Sequence, residues 1–249
     1  MRIAVIADIH GNVRALEAVL KDLKHQAPDT VVNLGDCVSG PLWPEETAAL
    51  LRDLGWPTVR GNHDRVVAAG AVPLHNRTDS FTEAALSAQS MAWLGALEPA
   101  IRLSDEIFLC HGTPRNDNAY LTEDVVEGGA RHAHEHRIVE RLEGETSPVI
   151  CCGHSHLPRL VRLHVSGQLI LNPGSVGLQA YEDETPTPHQ MATCSPHARY
   201  ALLDNLEGTW SVSQRIIDYD WAAAAKEAER NGRSDWAHAL LKGYMQPDP

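Results

Sequence analysis

Short apolar runs alternate with amphipathic stretches along the first half of the chain. Residues 2–7 form a run buried on both faces, as a strand inside a covered sheet would be. Val13, Leu16, Leu20, Leu23 and Ala27 then fall on one face at helical spacing, and Pro28 closes the segment. Residues 30–34 read as the next buried strand, which completes a βαβ unit with parallel strands and a right-handed crossover. Pro44 opens a second helix, with Glu45 and Glu46 at its positive end and Gly55 at its close. Thr58 and Val59 read as a short strand, residues 61–64 as a turn, and 76–82 as a polar stretch leading into one long helix with Leu86, Met91, Trp93, Leu94 and Leu97.

The second half reads differently. Residues 100–103 and 106–110 alternate like a hairpin, 113–121 form a polar loop, and 131–142 read as a helix. Residues 149–152, 160–164 and 169–171 read as strands, with Ser166-Gly167 as a turn. The stretch 179–198 has three prolines and weak periodicity, and is expected to be a lid or disordered. A hairpin over 200–204 and 210–217 turns at Glu207-Gly208, and 221–245 is helical with a break at Asn231-Gly232. The pattern predicts an α/β fold of four layers: two mixed β-sheets packed as a sandwich, flanked by helices. At 249 residues one domain is expected over 1–249, with a helical C-terminal tail at about 219–249. Trp221, Trp236, Leu240, Leu241 and Met245 give that tail an apolar face, for the core or for a second copy in a homo-oligomer.

A hydrophobic fraction of 43% and a mean hydropathy of −0.27 fit a globular protein. The net charge of −12, with scattered lysines and arginines, argues against a large nucleic-acid surface. No uncharged run reaches the about 18 residues of a membrane helix, and no signal-peptide pattern opens the sequence, so a cytoplasmic location without membrane contact is expected. Cys37, Cys110, Cys151, Cys152 and Cys194 are an odd set, read as reduced thiols packing strand ends. His132, His134 and His136 sit among Arg131, Glu135 and Arg137, and are read as a solvated helix face, as is Arg14 on the first helix.

The chemistry gathers at the strand ends. Asp8 and His10, Asp36, Asn62-His63-Asp64, His111, and His154 with His156 each follow a short apolar run. Open α/β sheets bind ligands at the carboxyl ends of their strands, so these residues are expected on one rim. The donors are carboxylate, amide oxygen and imidazole, which suit Mn, Fe or Zn better than Ca or Cu.

In order along the chain, the fragments Asp8-x-His10, Gly35-Asp36, Gly61-Asn62-His63-Asp64, His111 and Gly153-His154-x-His156 resemble the calcineurin-like metallophosphoesterases. Asp8-Ile9-His10-Gly11-Asn12, the His111-Gly112-Thr113-Pro114 turn and Asn172-Pro173-Gly174-Ser175-Val176-Gly177 are similar to the small bacterial members. The resemblance covers roughly residues 1–217, and the stretch 178–197 departs from it by its length.

What it implies is a metallophosphatase-like sandwich holding two divalent ions, Mn or Fe, with Zn also compatible. Asp36 would bridge the ions. Asp8, His10 and His156 would complete one site, and Asn62, His111 and His154 the other. The implied activity is hydrolysis of a small phosphate mono- or diester by a metal-bridging hydroxide. His63 would serve the leaving oxygen, with Asp64 orienting it or starting a helix. Asn12 and Arg199 are the candidate substrate contacts. A metal-binding interaction scaffold on the same fold is the alternative, and a protein phosphatase ranks lower.

Overall fold

The computed structural model describes residues 1–70, 72–73 and 75–246. The chain runs β1 (Arg2–Ile6), α1 (Val13–Gln26), β2 (Thr30–Asn33), α2 (Pro44–Leu54), α3 (Asn62–Ala68), α4 (Arg77–Ala85) and α5 (Ala88–Gly95). It continues through β3 (Ala100–Arg102), β4 (Ile107–Cys110), β5 (Glu123–Val126), β6 (Gly129–His132), α6 (Glu135–Leu142), β7 (Val149–Cys151), β8 (Arg159–Arg162) and β9 (Leu169–Asn172). Last come β10 (Ala180–Asp183), β11 (His189–Ala192), β12 (Ala198–Leu206), β13 (Thr209–Ile217), α7 (Trp221–Arg230) and α8 (Ser234–Lys242).

Two sheets carry the fold. One has the order β13-β12-β1-β2 and the other β3-β4-β7-β9-β8. Both are mixed: β1 is parallel to β2 and antiparallel to β12, while β4, β7 and β9 run parallel between antiparallel edges. Side chains alternate faces along a strand, which builds the layers. Ile3 and Val5 of β1, Ile107 and Leu109 of β4, and Leu169 and Leu171 of β9 meet in the core between the sheets. Ala4 and Ile6 point the other way, against Leu16 and Val19 of α1. Cys110, Ile150 and Ile170 face Ile138 and Leu142 of α6 on the opposite outer side. This is the expected sandwich flanked by helices.

Several local expectations are corrected. Thr58 and Val59 make only isolated bridges, to Asn33 and Glu98. Residues 62–64 open α3 rather than a turn, because the Asp64 carboxylate accepts from the Gly61 N–H three residues back. The expected long helix after residue 82 is two, starting within the polar stretch, since Ser87 caps the Ser90 N–H and begins α5 afresh. Residues 131 and 132 belong to β6, paired with β5 through a tight turn, so α6 is shorter than expected and His132 is not on it. The stretch expected to be a lid or disordered holds the β10–β11 hairpin. The tail is the helical pair α7–α8, broken at Asn231-Gly232 as expected, and 247–249 lie outside the described residues. Its apolar face, with Trp236 and Leu240, packs on Leu42 and Leu178 of the same chain. No helix among the described residues is long and apolar enough to cross a membrane.

Candidate metal centre

The ends of β1, β2, β4 and β7, with the start of α3, converge on one rim. Asp8, His10 and His156 bring ligand atoms within 4.8 Å of one another, and so do Asp36, His111 and His154. The Asp36 Oδ2 lies 3.3 Å from His111 Nε2 and 3.7 Å from His10 Nε2, so one carboxylate reaches both groups. The Asn62 Oδ1 is 3.0 Å from His111 Nε2. All seven expected ligands therefore share one place.

The backbone makes this possible at a cost. Asp8, His10, Asp36, His154 and His156 all have positive φ, between 51° and 67°. Such conformations cost roughly 1–3 kcal/mol each in non-glycine residues and gather at functional sites. Two left-handed residues thus flank Ser155 and send His154 and His156 to different groups. Gly35 and Gly61 allow the loops to stack: a Cβ on Gly61 would sit 2.1 Å from Asp36 Oδ1, and one on Gly35 2.5 Å from the Gly61 nitrogen. The bidentate Arg65–Asp117 pair, at 2.6 and 2.9 Å, ties α3 to the loop after His111.

The donor atoms fit cations. The Nδ1 atoms of His10, His111 and His156 lie 2.7 to 2.8 Å from the carbonyl oxygens of Ser39, Leu34 and Leu178. Each Nδ1 therefore carries a hydrogen, and each Nε2 presents a lone pair when its ring is neutral. Yet His10 Nε2 and His156 Nε2 face each other at 3.0 Å. Two lone pairs at that distance repel unless a cation or a proton lies between them. The Asp8 Oδ2 is likewise buried without a hydrogen-bond partner among the described residues.

Ionisation tells the same story. Burial pushes the Asp8 carboxyl up to about 8, and lowers His10 to about 4 and His154 to about 3. Burial would lower His111 too, but Asp36 outweighs it and raises that imidazole to about 10. Adding Mn or Zn to metal-free protein is expected to raise Tm by roughly 5–10 °C, the effect of an ion at about a hundred times its Kd on a chain of this size. An unchanged melting curve at millimolar metal would count against the site.

His63 behaves unlike the others. Its side chain is 32% exposed and lines the cleft over the ligands, with its ring 5.7 Å from that of His10. Its Nδ1 lies 2.8 Å from Asp79 Oδ1. Asp79, on α4, is 1% exposed and also accepts from Asn76 Nδ2 at 2.6 Å and from the Ser39 hydroxyl. Burial would lower His63, but Asp36 and Asp79 raise it to about 9.

Of the two roles expected of Asp64 the structure bears out the helix start and corrects the orienting one: its carboxylate accepts from the Cys37 and Gly61 N–H groups, at 2.9 and 3.0 Å, and Asp79 holds the ring. Sequence reasoning missed Asp79 because it sits in a polar stretch, where an aspartate at a helix start raises no signal of its own.

The two candidate substrate contacts lie elsewhere. Asn12 caps α1 through Ala15 N–H and donates to the Gly177 carbonyl, fully buried. Arg199, on β12, is not among the residues lining the cleft. Cys37, Cys110, Cys151 and Cys152 are buried and free, and burial raises all four thiols. His134 and His136 line a second cavity of about 870 Å³ with Arg131, Arg137 and Arg141; none of the ligand residues lines it, but it shares Asp183 and Thr185 with the cleft over them.

The cleft itself holds about 750 Å³. The β10–β11 hairpin walls it with Tyr181, whose ring meets His156 edge-on at 4.6 Å, and Tyr120 stacks on His154 at 4.6 Å. Trp236 of α8 stands edge-on to His10 at 6.0 Å.

The profile of the calcineurin-like phosphoesterase superfamily domain matches residues 1–195. This chain belongs to that superfamily. A protein of Methanocaldococcus jannaschii, itself described as uncharacterized, is 26% identical, and the match covers 94% of each sequence. Among solved structures, a metallophosphoesterase from Sphaerobacter thermophilus is similar at 25% identity and a TM-score of 0.76, over 98% of this chain and 100% of that one. A hypothetical protein from Pyrococcus horikoshii shares the fold at 19% identity and a TM-score of 0.74, over 97% of this chain and 98% of its own. Calcineurin-like phosphoesterases use a dinuclear metal site, and the two ligand groups here are candidates for it. Both structural matches extend over the helical tail, which lies beyond the matched domain.

Proposed function

We propose that this chain is a dinuclear-metal phosphoesterase acting on a small phosphate mono- or diester. The observation that carries the reading is the Asp36 carboxylate, set within 3.7 Å of imidazole nitrogens from both ligand groups. Two bound ions, Mn, Fe or Zn by their donors, would polarise the phosphoryl group and acidify a water to serve as nucleophile.

The protein's own groups do the rest. Asp8, His10 and His156 would hold one ion and Asn62, His111 and His154 the other, with Asp36 placed within reach of both groups. His63 gives a proton to the leaving oxygen from Nε2, while Asp79 fixes its ring through Nδ1. Buried, backbone-anchored imidazoles keep the ligand geometry fixed before substrate arrives.

A cleft of about 750 Å³ walled by the hairpin and the tail supports a small-molecule ester over a protein substrate. A scaffold that only binds metal or a partner has no use for a cleft-facing imidazole held by a buried carboxylate.

The test is hydrolysis of chromogenic phosphate mono- and diesters by protein loaded separately with Mn, Fe(II) and Zn. Turnover that appears with metal and disappears with chelator is expected. Folded, metal-loaded protein inert toward every ester would leave the scaffold reading in its place.

A further inference from the structure

We infer that Arg233, from the C-terminal helical pair, binds a second anionic group of the substrate, a phosphate or a carboxylate carried on its leaving side. The inference rests on the phosphoesterase reading above and narrows the substrate class. Arg233 lines the cleft, and among the described residues it is the one lysine or arginine that does. In a chain of net charge −12 that placement stands out.

The guanidinium is held rather than solvated. Its side chain is 11% exposed. Nε and Nη2 donate to Asp235 at 3.0 and 2.7 Å, Nη1 donates to Thr78 Oγ1 at 2.7 Å, and the group stands 5.7 Å over the Trp236 ring. These contacts leave one N–H unspent on each of Nη1 and Nη2. A planar, pre-set pair of donors suits a phosphate or carboxylate, and little entropy is lost on using it.

Position along the cleft fixes which part of the substrate it meets. Thr78 adjoins Asp79, the residue that holds His63, so the guanidinium stands on the His63 wall. That wall serves the leaving oxygen in the proposed reaction. The scissile phosphate lies over the ions, and Arg233 is left for charge beyond it. Of the three acidic residues on the facing hairpin, Glu182 accepts from Gln190 and Asp183 from the Thr185 N–H, while Glu184 is exposed to solvent at the turn. Arg233 also lies past residue 195, where the matched domain ends, so the tail adds specificity to a core that already holds the ligands.

Three esters separate the possibilities: phenyl phosphate, 4-carboxyphenyl phosphate and hydroquinone bisphosphate. Metal-loaded protein is expected to prefer one of the two with a charged leaving group, which also identifies the anion. Arg233→Met should lower kcat/KM for that ester about 10–100-fold further than for phenyl phosphate, mainly through KM, with metal content unchanged. Arg233→Lys, which keeps the charge and the fold contacts of the stem, should fall between.

Equal losses on all three esters in a folded variant, or no preference in the parent protein, overturn the assignment while leaving the phosphoesterase reading intact. If the parent protein hydrolyses no ester at all, the reading and this inference fall together.

Discussion

Asp36→Asn is expected to empty both ion groups and abolish turnover. The substitution keeps the size of the side chain and tolerates the left-handed backbone at this position, where φ is 51°. What it removes is the negative charge that faces His10 at 3.7 Å and His111 at 3.3 Å. Burial would raise this carboxyl, but His111 and His63 hold it well below the usual range, so it is ionised and ready to ligate. No other carboxylate lies between the two groups among the described residues, since Asp8 belongs to one of them alone. Elemental analysis should show the ion content falling from about two per chain to below one, and ester hydrolysis falling to background. A variant that retained both ions and normal turnover would remove the bridge from the account.

His63→Ala separates chemistry from metal binding. The ring belongs to neither ligand group, so the ion content should stay as in the parent protein. Turnover should drop about 10²–10⁴-fold, the usual worth of a placed proton donor. Asp79→Asn should lose less, about 10–100-fold, because the ring remains but its orientation and charge are no longer held. The double variant should be no worse than His63→Ala alone, since Asp79 acts on the reaction through that ring. Leaving-group dependence sharpens the test: esters of acidic phenols need little help from a proton donor and should lose least. Loss of metal in His63→Ala would make the imidazole a ligand. Additive losses in the double variant would give Asp79 a separate task.

Much of the architecture was legible because its causes are local. Buried strands read as apolar runs, and the amphipathic period of α1 and the Pro44 and Gly55 boundaries of α2 follow from backbone chemistry near each residue. Failures came where a local signal was ambiguous or where a contact overrode it. The histidines at 132, 134 and 136 suggested one helix, yet Glu127-Gly128 turns a short hairpin whose strands are half polar. Ser87 lies inside an apolar helical pattern, but Glu45 accepts from both its N–H and its hydroxyl, and the helix breaks there. The proline-rich stretch at 179–198 has too little periodicity to announce β10 and β11, which pair with each other and wall the cleft.

The sequence by itself determined the sandwich and the rim on which the candidate ligands gather, because each of them follows a short buried run and parallel strands deliver their ends to a common edge; their roles as ligands came from the family resemblance. Only the tertiary structure decided how those residues are used. Five of them adopt left-handed backbone, uncommon outside glycine, held by loops packed glycine to backbone. The partner of His63 lies on a different helix, and the arginine in the cleft comes from the end of the chain. These assignments depend on distances between segments far apart along the polypeptide, and a pattern of neighbouring residues does not encode such distances.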